Sequence, residues 1–237
     1  MFRLLHLSDT HLRAPGVDGE PFGIAPSPRL ETVLGAVVDT GFAPDLIVHT
    51  GDIADDESAH AVTRVHDRLS TIAPTIAVPG NHDDPVAVRR VFGPPEAQAG
   101  PWRVVGVDTC IPGKVEGRSP DVPALVRGAD GPTILLMHHP IRSTSLHPWF
   151  RVGGGRQAEA ALEGSPHPWI VLSGHTHEVY EERIGAEGHV RLWGGPATFY
   201  ALRHRDDTWQ MTAGGTGARL IELDDDPRVV RSRVVSA

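Results

Sequence analysis

Cysteine is nearly absent from this chain of 237 residues, and the one present, Cys110, has no partner for an internal disulfide. A disulfide scaffold and a thiolate metal site are both excluded, and a reducing cytoplasm fits this usage. No apolar run is long enough to cross a bilayer, and the N-terminal run over 2–7 is also too short for the core of a signal peptide, so no membrane partner is expected. An excess of basic charge is missing too. The formal net charge is −8, which disfavours a surface that grips nucleic acid through many phosphates. Repeats, low-complexity tracts and linkers are lacking, so a single domain over 1–237 is expected, and 40% hydrophobic with 22% charged residues is ordinary for a soluble globular chain. The Pro/Gly-rich stretches 13–28, 93–101 and 151–155 read as surface loops. What the chain has in quantity is histidine, 14 residues.

Short apolar runs, each read as a buried strand, alternate with helical stripes and repeatedly end in polar, metal-competent residues. The run 2–7 empties into Ser8-Asp9-Thr10-His11; Asp9 and His11 sit two apart, so an extended backbone would turn both to one side. A helical stripe follows in Leu30, Val33, Leu34, Val37 and Val38, with Gly41 just past its end. The strand 45–50 is followed by Gly51-Asp52-Ile53-Ala54-Asp55. Asp52 has an alternative use as a cap for the helix expected over 57–70, although Asp55 or Asp56 is better placed for that. The strand 75–79 delivers Gly80-Asn81-His82-Asp83, which alone would pass for a polar turn; a helix is expected over 84–91, a strand over 102–108 and a short helix over 120–126. The strand 133–137 ends in His138-His139-Pro140. Two adjacent buried histidines each need partners, so at least one reads as a ligand. A helix over 156–163 and a strand over 169–172 lead to Ser173-Gly174-His175-Thr176-His177, and the runs 179–184, 189–193, 217–223 and 228–234 read as an antiparallel continuation. The repeated strand-turn-helix units argue for right-handed crossovers and a largely parallel sheet.

Five strand ends thus each offer a potential ligand. Asp9, His11, Asp52, Asn81, His138, His175 and His177 are too many for one ion of four- to six-fold coordination, and they suit two ions sharing a carboxylate. Asp52 is the natural bridge. Asp9, His11 and one histidine are then left for one ion, and Asn81 with two histidines for the other.

These blocks, in this order, resemble the signature of the calcineurin-like metallophosphoesterases: Asp9-x-His11, Gly51-Asp52, Gly80-Asn81-His82-Asp83, His138 and Gly174-His175-x-His177. Within that superfamily, Leu7 to Leu12, Gly51 to Asp55, Asp108 to Gly113 and His138-His139-Pro140 are most similar to the class III cyclic nucleotide phosphodiesterases. The resemblance implies an α/β fold, a four-layer α/β/β/α sandwich. It also implies that Asp9, His11, Asp52 and His177 hold the first ion, and Asp52, Asn81, His138 and His175 the second. It makes His82 a proton donor that binds no metal, oriented by Asp55. Asn81 and His82 read as facing substrate, and His139 reads either as facing it or as a buried histidine bonded to backbone. Related hydrolases of a lipid A precursor carry arginine at the position of His82, which sets this chain apart from them.

Two cations roughly 3.5–4 Å apart can share a hydroxide whose pKa lies near 7, a nucleophile for in-line attack at phosphorus. If both are divalent, Asp9, Asp52 and the hydroxide bring the net charge to about +1, which suits a phosphodiester monoanion; a ferric–divalent pair suits a monoester dianion better. The mixed nitrogen and oxygen donors admit manganese, iron, cobalt and zinc. The expected function is therefore a dinuclear metal-dependent phosphoesterase acting on a small phosphodiester such as a cyclic nucleotide. The alternative is a phosphomonoesterase for a nucleotide or sugar phosphate. A metal-free binding module would have lost ligands, and none is missing. The partners expected are a small phosphate ester and, as one arrangement open to the family, a second copy of the chain.

Around the site, His6 and His49 read as structural, while Arg142, His147, Trp149 and Phe150 lie on a loop able to shape the pocket. Tyr200, Arg203, His204 and Arg205 read as a basic lip or a solvated loop.

Overall fold

The computed structural model describes residues 1–14, 23, 25–119 and 121–237. Its central strands are short and nearly all apolar because each is covered on both faces, whereas edge strands such as Val230–Ser236 alternate with exposed polar residues. In Phe2–Leu7 (β1), Leu46–His49 (β2) and Thr75–Ala77 (β3), alternate side chains enter different cores: Leu4, Leu46 and Val48 on one side, Leu5, Leu7 and Ile47 on the other. These three strands run parallel, and Gly217–Leu223 (β14) and Val230–Ser236 (β15) extend them antiparallel, in the order β15-β14-β1-β2-β3. The second sheet is built from Glu96–Ala99 (β4), Trp102–Gly106 (β5), Thr133–Leu136 (β7), Trp169–Ser173 (β9), Tyr180–Ile184 (β10) and Val190–Gly194 (β11), in the order β10-β11-β9-β7-β5-β4. Here β5, β7, β9 and β11 are parallel, and the two edge strands are antiparallel.

The two sheets face one another through Leu4, Val48, Trp102, Ile134, Leu172 and Trp193, among others. Three helices, Pro26–Asp39 (α1), Ala59–Ser70 (α2) and Pro85–Phe92 (α3), cover the outer face of the first sheet; Val122–Arg127 (α4) and Gly155–Glu163 (α5) cover that of the second. The result is the expected α/β/β/α sandwich. Arg219 of β14 pins the sheets together: fully buried, it pairs with Glu181, donates to the carbonyl of Gly194 at 2.9 Å and lies over the Trp193 ring.

Several sequence expectations are corrected. The sheet is not one largely parallel layer but two mixed ones. Part of the stretch 93–101 is the edge strand β4 rather than loop. The C-terminal runs are not a uniform antiparallel continuation, since β11 lies parallel to β9. The cap of α2 is Ser58, whose hydroxyl accepts from the Ala61 amide at 3.2 Å, so neither Asp52, Asp55 nor Asp56 serves there. α5 begins at Gly155, inside the expected 151–155 loop, and that stretch also holds Val152–Gly153 (β8), which pairs with Gly117–Arg118 (β6). Residues 15–22 and 24 of the expected 13–28 loop, and Pro120 of the expected 120–126 helix, lie outside the described residues. Residues 201–212, read in part as lip or loop, form an antiparallel hairpin, Ala201–Arg205 (β12) with Thr208–Thr212 (β13).

Candidate dinuclear metal centre

The carboxyl ends of β1, β2, β3, β7 and β9 converge at one end of the sandwich and bring all seven expected ligands together. The ligand atoms of Asp9, His11, Asp52 and His177 lie within 4.8 Å of one another, and so do those of His138, His139 and His175. Asp52 stands between the groups, its Oδ2 3.7 Å from His11 Nε2 and 3.4 Å from His138 Nε2. Asn81 Oδ1 is 3.1 Å from His138 Nε2.

These side chains do not reach the site by extended backbone. Asp9, His11, Asp52, His175 and His177 all have positive φ, between 48° and 68°, and they account for five of the eight such non-glycine residues described. A left-handed residue costs on the order of 1–3 kcal/mol, so the strain is concentrated where the ligands are. The surroundings overdetermine it: amides of Asp9, His11 and Leu12 donate to carbonyls of Gly51, Asp52 and Ile53 at 2.9–3.0 Å, locking the first two ligand loops together. Gly80 matters for space rather than for its own φ, because a Cβ there would collide with Asp52. Asp83 ties the same loops from below, accepting from Ile53, Ala54 and Gly80 amides at 2.8–3.1 Å. Burial and the nearby Asp52 charge push its carboxyl up to about 7. In the sequence, the one signal for Asp83 is its place beside Asn81 and His82.

The donor set fits metal ions. The Nδ1 of His11 is held by Asp55 at 3.0 Å, that of His138 by the Thr50 carbonyl at 2.7 Å and that of His177 by the Tyr200 carbonyl at 2.8 Å. Each such contact fixes the proton on Nδ1 and leaves Nε2 as an electron-pair donor, the arrangement that orients metal-binding histidines. Three of these Nε2 atoms then confront other acceptors: His11 faces His177 at 3.2 Å, His177 faces Asp9 at 3.2 Å and His138 faces Asn81. Opposed acceptors repel unless a positive particle sits between them, either a proton or a metal cation. In His175 it is Nε2 that meets a carbonyl, that of Trp149 at 2.8 Å, leaving Nδ1 as its donor atom.

Electrostatics say the same. Burial would depress His138, but the charge and hydrogen bond of Asp52, with Asp9 behind it, push it up to about 9. Burial would likewise raise Asp9 and Asp52, yet His177 and His138 hold these carboxyls well below the usual carboxylate range. Cations held by these residues would displace the proton on His138. Metal affinity of chelator-treated protein should therefore rise as pH increases from 7 towards 9 and level off above it, with proton release on binding near pH 7. Titration calorimetry in two buffers of different ionisation enthalpy checks this; equal heats in both buffers would show that no proton leaves.

His82 lines the cleft with its ring 41% exposed, and its amide donates to Asp52 Oδ1 at 3.0 Å. Asp55 lies 3.5 Å from its Nδ1 but is engaged more closely elsewhere, by His11 and by Arg13 at 2.6–2.7 Å. Asp55 is therefore first a support for His11 and only secondarily for His82. Of the two readings of His139, the buried histidine bonded to backbone holds: Nδ1 meets Thr109 Oγ1 at 2.7 Å and Nε2 the Val115 carbonyl at 2.9 Å. Neither ring nitrogen is presented to a substrate. His6 and His49 are buried and bonded to Thr50 and Thr10 at 2.8 Å, as a structural role requires. Arg142 turns away to Glu159 and Glu182, whereas Trp149 and Phe150 line the cleft. Tyr200 also lines it, packed against His11 and His177.

A doubly covered sandwich carrying two groups of nitrogen and oxygen donors around a shared carboxylate defines a metal-dependent hydrolase. The sequence profile described as Calcineurin-like phosphoesterase matches residues 2–179, and the chain belongs to that family. It is a metal-dependent phosphoric ester hydrolase. Similar proteins include the 3',5'-cyclic adenosine monophosphate phosphodiesterase CpdA of Pseudomonas aeruginosa, 32% identical over 95% of this chain and 87% of the relative. A probable cyclic nucleotide phosphodiesterase of Synechococcus is 28% identical over 86% of this chain and 81% of its own. Among solved structures, a dimetal phosphatase from Danio rerio superposes with a TM-score of 0.61 at 12% identity, covering 99% of this chain and 98% of that one, a likeness of fold. No helix among the described residues is long and apolar enough to cross a membrane.

Proposed function

We propose that the chain, acting as a single domain over 1–237, hydrolyses a small phosphodiester, a 3',5'-cyclic nucleotide being the substrate class that its similarity to CpdA favours. The observation that carries this is Asp52 standing between two groups of opposed acceptors, one around Asp9, His11 and His177, the other around Asn81, His138 and His175. Those residues would hold two cations, of manganese, iron, zinc or cobalt; when bound, such ions draw charge from the phosphoryl oxygens and lower the pKa of water towards neutrality. With Asp9 and Asp52 as the carboxylates of this set, the centre keeps net positive charge and matches a monoanionic diester. Asn81 would hold one cation through Oδ1 and, lining the cleft, would also face substrate. His82, exposed in the cleft, donates a proton to the departing ester oxygen, and its amide fixes the orientation of Asp52. Asp55 holds His11 in its metal-binding tautomer and supports His82 at longer range. His139, buried and bonded to Thr109 and to the Val115 carbonyl, packs behind His138 and His175 and does not contact substrate.

Bis(p-nitrophenyl) phosphate should be hydrolysed with added Mn²⁺, with activity removed by chelator and restored by metal. Turnover of monoesters alone, under every metal tried, would replace this reading with the phosphomonoesterase one.

A further inference from the structure

The cleft over the metal-binding residues, about 240 Å³, has two unlike walls. One is the donor set; the other is Trp149, Phe150, Tyr200, Leu202, Trp209 and Met211. No lysine or arginine is among the described lining residues, so this wall brings no positive charge to a second phosphate. Trp102, Trp169 and Trp193 are core residues at 0–5% exposure, whereas Trp149 and Trp209 are 43% and 37% exposed. Large aromatic faces left open beside a polar site add little to the fold's own stability and remain available to a ligand.

Both rings hang from the metal-binding segment itself. The Trp149 carbonyl accepts from His175 Nε2 at 2.8 Å. Trp209 pairs across the hairpin with His204, whose Nε2 donates to the carbonyl of Thr176 at 2.9 Å, between His175 and His177. The Phe150 ring packs edge-on against His204 at 4.4 Å and lies 6.3 Å from Trp209, and the Leu146 amide donates to the Asp206 carbonyl at 2.8 Å, closing loop and hairpin together. Their distance from the metal centre is thereby set by hydrogen bonds from histidine rings to backbone carbonyls. The two indoles lie 6.2 Å apart and 40° from parallel. That is too close to admit a ring between them, but together they make a shelf on which one can lie.

We propose that Trp149 and Trp209 form a shelf for a planar heteroaromatic ring, a nucleobase carried by the same ester whose phosphate lies at the metal centre. The proposal rests on the phosphoesterase reading above and adds what selects the ester arm.

The test titrates the metal-loaded full chain with AMP and with ribose 5-phosphate, which differ by the base, following tryptophan fluorescence and binding. AMP should quench the fluorescence and bind roughly 5- to 150-fold more tightly, the range that stacking of one base provides. Trp209→Ala should bring the ratio of the two affinities towards one, and Trp209→Phe should retain most of it. Equal affinity of both ligands for the unaltered chain, or equal weakening of both by Trp209→Ala, would overturn the shelf. So would fluorescence that depends on protein concentration and not on AMP, since the rings would then be covered by a second copy. Equal binding with bis(p-nitrophenyl) phosphate still turned over removes the shelf alone. Failure of both ligands to bind, with no ester hydrolysed, removes the underlying reading with it.

Discussion

Replacing Asp52 by Asn should empty both metal positions and reduce hydrolysis by roughly 10³-fold or more, because the several kcal/mol of charge stabilisation that paired cations supply is lost. Asn is the informative substitution. Asp52 sits at φ 51°, a conformation that Asn tolerates and Ala does not, so Asp52→Ala would add backbone strain to the loss of charge. The expectation follows from the position of Oδ2 between His11 and His138, and from Oδ1, which accepts the amide of His82. An amide side chain keeps the shape but brings no negative charge to either side. His138→Ala, by contrast, should chiefly empty the second position, since His138 faces Asn81 and Asp52 but not Asp9. Elemental analysis of the purified variants decides the matter: two fully occupied metals in Asp52→Asn would show that the carboxylate is not shared.

How much of this was legible in the chain follows from what side-chain type alone encodes. The seven ligand candidates were readable because each follows an apolar run, and burying a polar cluster at a strand end needs a reason. The sandwich was readable only through resemblance. The nearly unbroken apolar runs of β1, β7 and β9 show that both faces are covered, yet they cannot say whether a helix or another sheet covers them. Backbone conformation was not readable either: spacing of two residues suits an extended chain, but Asp9, His11, His175 and His177 converge through left-handed turns held by hydrogen bonds to distant loops. The same is true of carbonyl partners. Thr50, Trp149 and Tyr200 orient three candidate ligands through backbone oxygens, which every residue has, so no side chain announces the role. Asp55 was assigned to His82 by resemblance, and the geometry gives His11 the closer contact. The hairpin carrying Trp209 is hidden in the sequence because its strand Ala201–Arg205 ends in Arg-His-Arg, which reads as solvated loop without its partner strand.

Replacing His82 by Ala should leave both metals in place yet cost roughly 10²–10⁴-fold in rate, the range for loss of a general acid. Its ring contributes no atom to the opposed acceptors around Asp52 and projects into the cleft, so occupancy does not depend on it. Its amide, which does hold Asp52, survives the substitution. The loss should be steepest for alkoxide leaving groups such as the ribose oxygen of a cyclic nucleotide, which need a proton on departure, and smallest for p-nitrophenolate, which leaves as a stable anion. Asp55→Asn should behave differently. Asp55 accepts from His11 Nδ1 at 3.0 Å and pairs with Arg13, so its loss should loosen His11 and weaken the first metal position by roughly 10- to 100-fold, the usual cost of losing a partner of a metal-binding histidine. Excess metal should then restore most of the activity of Asp55→Asn and none of that lost in His82→Ala. A set of diesters graded by leaving-group pKa, assayed at limiting and saturating Mn²⁺, separates the two variants. A rate loss in His82→Ala that is equal for all leaving groups would make His82 a phosphate anchor, and recovery of its activity at high metal would make it a ligand.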